Sequence, residues 1–219
     1  MLYIMNAKLP TVKAHGYQIV KMCEEFEKTG IDLELWVPRR YNTITQSVFD
    51  YYGVIQNFNV RYFWCIDLFR YLPSSVAYWI QLVTFYTSVK FSLVFHKRCT
   101  IYTRDYWPLL FRMLGFRIVC EVHRLPERFR WFFFRLYLWF ASRIITVTSS
   151  IRDMLFAYGI SSDRLLVSPD GVDLKIFDIA ISKIDARAKL GLPREGKFLL
   201  YSGSLQTMLM EKGIDVIFL

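Results

Sequence analysis

Short uncharged apolar runs alternate with amphipathic stretches through most of the chain. Residues 2–5 (LYIM) have the character of a buried parallel strand. Residues 6–16, with a Pro, a Gly and two lysines, read as a loop. A helix follows to about Lys28, with Ile19, Val20, Cys23 and Phe26 on one face and Glu24, Glu25 and Glu27 outside; Thr29-Gly30 ends it. Residues 31–37 return as a second strand. This β-loop-α-β opening predicts a doubly wound, Rossmann-like α/β domain with a parallel sheet and right-handed crossovers. Further strands are predicted at 62–66, 100–103, 117–122, 143–147 and 165–167, and helices at 74–95, 107–114, 127–141 and 150–158. The strand 165–167 is expected to be buried and to stop at Pro169. After it, Asp170-Gly171 predicts a turn with Gly171 at positive φ, Asp173 a capping position, and Phe177 an anchor on a core.

Beyond Phe177 the pattern changes. A linker with a short helix at 185–190 leads to an apolar strand at 197–201, a tight Ser202-Gly203-Ser204 loop and a helix starting at Lys212. The expected organisation is a first domain at 1–177, a linker at 178–195, and at 196–219 the first β-loop-α of a second Rossmann-like domain. So short a final stretch cannot complete a domain, and the pattern reads as a truncated chain.

Two helices break the amphipathic rule. In 74–95, Gln81, Thr84, Ser88 and Ser92 form a narrow polar stripe and nearly everything else is apolar or aromatic. The length approaches that of a bilayer span, but the polar side chains and Lys90 argue against one. Burial within protein and an interfacial position both stay open. In 127–141, a helical wheel puts Phe129, Phe133, Leu136, Tyr137 and Phe140 on one face, expected to pack on the sheet. Phe132 and Trp139 lie beside Arg128 and Arg135, and Trp131, Phe134 and Leu138 fill a third sector. A helix apolar nearly all round is either buried on every side or set against lipid. Arginines among aromatics suit an interface, where guanidinium heads reach phosphates.

Composition makes that second option weightier. The chain is 54% hydrophobic and 18% aromatic, so surplus apolar surface needs a place. A net charge of +9 favours an anionic partner: nucleic acid, an acidic membrane or a phosphorylated ligand. The arginines and aromatics cluster in one hydrophobic helix and do not form a spaced sheet platform, which argues against nucleic acid. Cys23, Cys65, Cys99 and Cys120 form no CxxC and have no paired His, as expected of reduced intracellular thiols without disulfide or zinc. The apolar start is cut off by Asn6, Lys8 and Pro10, which is not a signal peptide. Neither a metal cluster nor a nucleophile triad can be assembled.

Several short motifs recur in a telling order. They are Lys8-Leu9-Pro10-Thr11 with Ala14-His15-Gly16 and Gln18; IYTRD at 101–105; Glu121-Val122-His123; IITVTS at 144–149; Tyr158-Gly159-Ile160 and PDGVD at 169–173 with Phe177; and YSGSL at 201–205 with Lys212-Gly213-Ile214-Asp215. In this order and spacing the chain resembles the retaining nucleotide-sugar glycosyltransferases of family 4, whose GT-B fold sets a cleft between two Rossmann-like domains. The resemblance implies that His15 and Gly16 lie in the loop where helix amides approach the donor phosphates, with Gly203 and Lys212 also on the phosphates. It implies that His123 faces the donor sugar as the catalytic-site histidine. Arg104 and Asp105 are possible substrate contacts or, equally, a local ion pair. Asp170, Gly171 and Asp173 form a structural motif. No metal or other cofactor is implied, because helix amides and Arg/Lys neutralise the diphosphate leaving group.

There are departures. Ser204 stands where the family usually has Arg, the interval to Lys212 is longer than usual, and the family's E-x7-E stretch would fall past Leu219. His15-Gly16 as plain helix-start residues, His123 as a satisfied structural histidine and Lys212 as a solvated lysine stay open. The expectation is a transferase moving a sugar from a nucleotide-sugar to a lipid-linked or polysaccharide acceptor. It would be cytoplasmic and peripheral on the inner face of the cytoplasmic membrane, held to an anionic surface by the 127–141 and 74–95 helices. A partner chain could supply the missing domain. The alternative, left open with the question of activity, is a non-catalytic remnant or subunit that binds a membrane or a partner.

Overall fold

The computed structural model describes residues 1–126, 131–202, 206–207 and 210–211. It divides into two compact units, Met1–Asp170 and Gly171–Leu219. In the first unit, β1 (Leu2–Ile4), β2 (Glu34–Pro38), β3 (Asn59–Phe63), β4 (Thr100–Thr103), β5 (Arg117–Val122), β6 (Arg143–Thr146) and β7 (Leu165–Val167) form one seven-stranded sheet. Its order is β3-β2-β1-β4-β5-β6-β7 and every pairing is parallel. Parallel neighbours need crossovers. These are α1 (Ala14–Lys28), α2 (Val48–Tyr52), α3 (Ser74–Val94), a 3-10 helix (Trp107–Leu114), α4 (Trp131–Phe140) and α5 (Ser149–Ala157). The expected doubly wound α/β architecture is therefore present. Its strand order reverses between β1 and β4, where such sheets open a crevice at their carboxyl ends.

Strand alternation divides the apolar residues into two cores. Leu2, Ile4, Trp36, Ile101, Ile118 and Cys120 face Phe85 and Val89 of α3, Leu109 of the 3-10 helix, and Phe134 and Leu138 of α4. Tyr3, Leu35, Val37 and Tyr102 face Ile19, Val20 and Cys23 of α1 and Val48 of α2. All four cysteines are free thiols, and only Cys99 is partly exposed.

In α3 the polar stripe turns out to be a flank facing protein. Gln81 is fully buried and donates from Nε2 to Asn6 Oδ1 at 2.9 Å, while the Thr84 hydroxyl accepts from Ile66 N–H at 3.0 Å. The outward side is apolar instead: Val76, Trp79, Val83 and Val94 are each about half exposed. Among the described residues no helix is long and apolar enough to cross a membrane.

Other expectations need correcting. The second strand begins later than residue 31, since Ile31 is exposed and Leu33 N–H is taken by the Glu27 carboxylate at 2.6 Å. The third strand lies three residues earlier than 62–66, in register with β2 from Asn59. Helix α4 packs through Phe134 and Leu138, not through Leu136, which is half exposed. Tyr106 meets Phe134 edge to face at 5.1 Å and Arg164 donates to Leu138 C=O at 2.7 Å, which fixes that rotation. Residues 127–130, the expected first turn, lie outside the described residues. Strand β7 is not buried: it is the sheet's edge, with Leu166 exposed.

The second unit holds α6 (Leu174–Phe177), α7 (Lys183–Lys189) and a small antiparallel pair, β8 (Gln206–Thr207) and β9 (Met210–Glu211). Ser182 caps α7 by accepting from Asp185 N–H at 3.1 Å. Gly171 is not at positive φ, and Phe177 is exposed and does not serve as an anchor. Residues 197–202 form no strand; Leu199 and Leu200 are exposed, and among the described residues the run pairs with no strand.

Candidate active site at the sheet switch point

Arg104 follows β4, and Glu121 sits one residue before the end of β5. Both are carried on the sheet face that α1 covers. The Arg104 guanidinium spans Glu121, with NH2 3.1 Å from Oε1 and Nε 3.2 Å from Oε2. Only 6% of the Arg104 side chain and 4% of the Glu121 side chain are exposed. Tyr102 donates its hydroxyl to Glu121 Oε2, and His123 Nε2 lies 2.5 Å from Glu121 Oε1. Arg104 NH1 donates to Gln18 Oε1 on α1 at 2.9 Å, and Gln18 Nε2 donates to Asp170 Oδ1. One polar chain thus joins Asp170 past β7, Gln18 of α1, Arg104, Glu121 and His123.

Its charges follow from these contacts. Burial alone would raise the Glu121 carboxyl, but the hydrogen bond from His123, the Arg104 charge and the Tyr102 hydroxyl outweigh it and hold the group below its ordinary range. Burial pushes the Tyr102 hydroxyl up, with Glu121 adding to it, so it remains a donor. An ionised Glu121 can only accept, which makes Nε2 of His123 the donor and turns Nδ1 toward other partners. The chain reaches solvent at both ends, at Asp170, which is exposed, and at His123, whose side chain is 32% exposed.

The pairing of Arg104 with its neighbour Asp105 is not what forms. Asp105 instead accepts from Asn6 N–H at 2.5 Å and from the Tyr86 hydroxyl at 2.7 Å. Burial raises its carboxyl, only partly countered by those two donors. It ties the end of β1 to α3 and starts the β1–α1 loop. That loop is pinned again where the Tyr52 hydroxyl accepts from Thr11 N–H at 2.8 Å and donates to Thr11 C=O at 2.9 Å. Gly16 makes room for this: a Cβ there would overlap the Tyr52 hydroxyl and the Thr11 methyl. Gly16, in the first turn of α1, is thus used for packing against the loop. His15 is on the surface, its imidazole lowered by partial burial and by the Lys13 and Arg104 charges.

Glu121, His123 and Asp170 bring three potential metal-ligand atoms within 4.8 Å of one another. The Glu121 oxygens facing that point are already shared with Arg104, a cation that competes with any ion for them. Asp170 is drawn into the polar chain, whereas Gly171 and Asp173 belong to the second unit. Gly203 and Lys212 lie outside the described residues.

The profile of the family described as Glycosyltransferase Family 4 matches residues 16–176, most of the chain. The chain belongs to this family. Two D-inositol 3-phosphate glycosyltransferases are similar to it. That of Kineococcus radiotolerans is 33% identical over 69 residues, 31% of this chain and 16% of that protein. That of Acidothermus cellulolyticus is 39% identical over 77 residues, 35% of this chain and 16% of that protein. Among solved structures, Anabaena HepE in complex with UDP and glucose aligns with a TM-score of 0.54 at 14% identity, covering 87% of this chain and 50% of that one. Sucrose-phosphate synthase of Thermosynechococcus elongatus aligns with a TM-score of 0.57 at 16% identity, covering 88% and 52%. These two likenesses are of fold, and the chain spans about half the length of either structure.

Within this family 4 chain, the sequence reading passed over Glu121 as an actor and did not join Gln18 or Tyr102 to it. The signal was available for Glu121. A carboxylate inside the apolar run IVCEV is a buried charge and calls for a cation, and Arg104 ends the adjacent strand. Nothing in the spacing marks Gln18 as its link to Asp170.

Proposed function

We propose that this chain forms the acceptor-side half of a glycosyltransferase that takes a sugar from a nucleotide-sugar, with retention, to a lipid-linked or polysaccharide acceptor at an anionic membrane surface. One observation carries the reading: His123 is presented at the carboxyl edge of the switch point by a buried, ionised Glu121 that Arg104 and Tyr102 hold in place. A histidine so fixed has one ring nitrogen committed to the carboxylate and the other left for a sugar hydroxyl. The first turn of α1, with His15 and the loop pinned through Gly16, stands beside it and offers backbone amides to an anionic donor. A relative in fold crystallised with UDP and glucose, and others named as glycosyltransferases, support the donor class. In this reading Lys212 and the Gly203 loop add phosphate contacts, and no metal takes part. The membrane element rests on the apolar outer side of α3 and on Trp139, exposed beside Arg135 on α4. In this reading the protein works on the cytoplasmic side, a placement to which the free thiols lend support.

Calorimetric titration with UDP- and GDP-sugars tests the donor half. Binding of one of them is expected, weakened about tenfold by His123→Ala, roughly one charge-assisted hydrogen bond. No heat with any nucleotide-sugar would sink that half. Flotation with anionic vesicles tests the membrane half, which fails if the protein does not float at low salt.

A further inference from the structure

The apolar side of α3 is not flat. Between α3 and the 3-10 helix runs a groove of about 400 Å³, walled by Val83, Tyr86 and Lys90 on one side and Trp107, Leu110 and Met113 on the other. That volume lies within the ~300–1,000 Å³ of small-ligand sites. Its long wall is built by ring contacts: Tyr86 stacks on Trp107 at 6.3 Å, and Trp79 meets Trp107 at 6.5 Å. Among the walls, Lys90 alone is charged, and it is exposed. The surrounding charge is one-sided. From Ser74 to Cys120 the sole acid is Asp105, consumed by Asn6 and Tyr86, whereas Lys90, Lys97, Arg98, Arg112 and Arg117 are all exposed cations.

An apolar slot whose one charged lining residue is a lysine selects an amphiphile with an anionic head. We propose that this groove takes one acyl chain of an anionic phospholipid, with Lys90 at the phosphate. The inference deepens the membrane part of the proposed function and rests on it: the protein would not merely lie on the surface but would draw one lipid tail into itself. A second copy of the chain would also cover apolar surface, but it would bring two unpaired lysines together and supply no anion to either. The lysine beside an otherwise apolar slot is the argument for lipid.

The test uses vesicles containing phosphatidylglycerol with a diazirine in the acyl chain, irradiated with the protein and mapped by mass spectrometry. Adducts on residues 83–90 and 107–114, reduced at least tenfold by Val83→Trp and shifted to weaker yield by Lys90→Glu, are expected. Val83 is half exposed, so the larger side chain fills the groove without entering the core. Flotation with adducts only elsewhere overturns the groove while leaving the membrane reading intact. A short-chain, water-soluble phosphatidylglycerol bearing the same diazirine separates the two claims in the other direction. Groove adducts from it without flotation keep the groove and sink the membrane reading. No adducts from either probe, or a concentration-dependent dimer that excludes them, overturns the inference.

Discussion

The layer formed by α1 and α2 and the layer formed by α3, the 3-10 helix and α4 cover opposite faces of one sheet, yet they are fastened differently. The first is tied by polar groups. Glu24 accepts from Ile55 N–H at 2.9 Å, Asn57 donates to Glu24 C=O at 3.1 Å, Glu27 holds Leu33 N–H, and Tyr52 and Thr11 bond reciprocally. Its outer side carries Lys21, Glu25 and Lys28 in ion pairs. The second layer is fastened by rings and aliphatic side chains, and its few polar ties run inward, through Thr84, Gln81 and Tyr86. Its outer side exposes Val76, Trp79, Val83 and Val94, with Lys90 and Arg112 among its few charges. A layer that needs water outside spends its polar groups there, and a layer that leaves apolar side chains outside is suited to another medium. The difference also locates the chemistry: the buried charges of the candidate site sit on the polar-tied face.

Breaking the charge pair on one face or hollowing the core on the other should give the largest effects. Glu121→Ala leaves Arg104 buried and uncompensated, which costs about 3–5 kcal/mol in urea unfolding. Phe85→Ala on the opposite face costs about 3–5 kcal/mol by leaving a cavity. The two are told apart by pH. The Glu121 carboxyl is held low, so its contribution is complete above the ordinary glutamate value of about 4.3 and is lost as pH falls through the lower folded value. The gap between the wild-type protein and Glu121→Gln should therefore close on acidification, and the Phe85→Ala gap should not follow that titration. A pH-independent Glu121→Gln gap would refute the pairing.

That contrast also explains what was legible beforehand. Strand and helix types along the first unit follow from hydrophobic period, because every strand from β1 to β6 buries apolar residues and the longer crossovers have an apolar side; α2, one short turn in a stretch without clear period, does not follow from it. The site was legible as single residues, not as a chain. His123 and Arg104 stood out at strand ends, but their linkage runs through Glu121 and through Gln18, 86 residues from Arg104. Only sheet order brings those together. The polar stripe of α3 left burial and an interfacial position open because a half-buried hydrogen-bonding flank and a solvated face have the same composition. The 165–177 stretch misled because apolar Leu165 to Val167 looks buried, and only an edge position with one neighbour leaves Leu166 exposed. Phe177 and the 197–201 run read as core and strand on local character alone, and among the described residues nothing buries them.

A smaller effect is expected from the loop on the polar-tied side. Gly16→Ala puts a methyl where the Tyr52 hydroxyl and the Thr11 methyl already are, and both atoms belong to groups locked by hydrogen bonds. Overpacking of this kind costs about 1–3 kcal/mol. Adding Tyr52→Phe removes one of the obstructing atoms at the expense of the hydroxyl's bonds, about 0.5–1.5 kcal/mol each. The double variant should therefore be less destabilised than the sum of the singles. Strict additivity in a double-mutant cycle would show that Gly16 and Tyr52 do not compete for that space.

The smallest change in stability belongs to the apolar outer side, and it is the sharpest test of the comparison. Trp79→Ser and Val83→Ser alter side chains that are 52% and 49% exposed, so unfolding free energy should move by only about 0.5 kcal/mol or so. Vesicle partition should move far more. Removing these two apolar groups from an interface forfeits about 25 cal/mol per Å² of buried apolar area, enough for roughly a tenfold loss in partition to anionic vesicles. Equivalent polar substitutions on the outer side of α1, where Lys21 and Glu25 already face water, should leave partition unchanged. If the α3 variants bind vesicles as well as the wild-type protein, the apolar outer layer serves something other than a membrane, and the two faces of the sheet differ only in how they are packed.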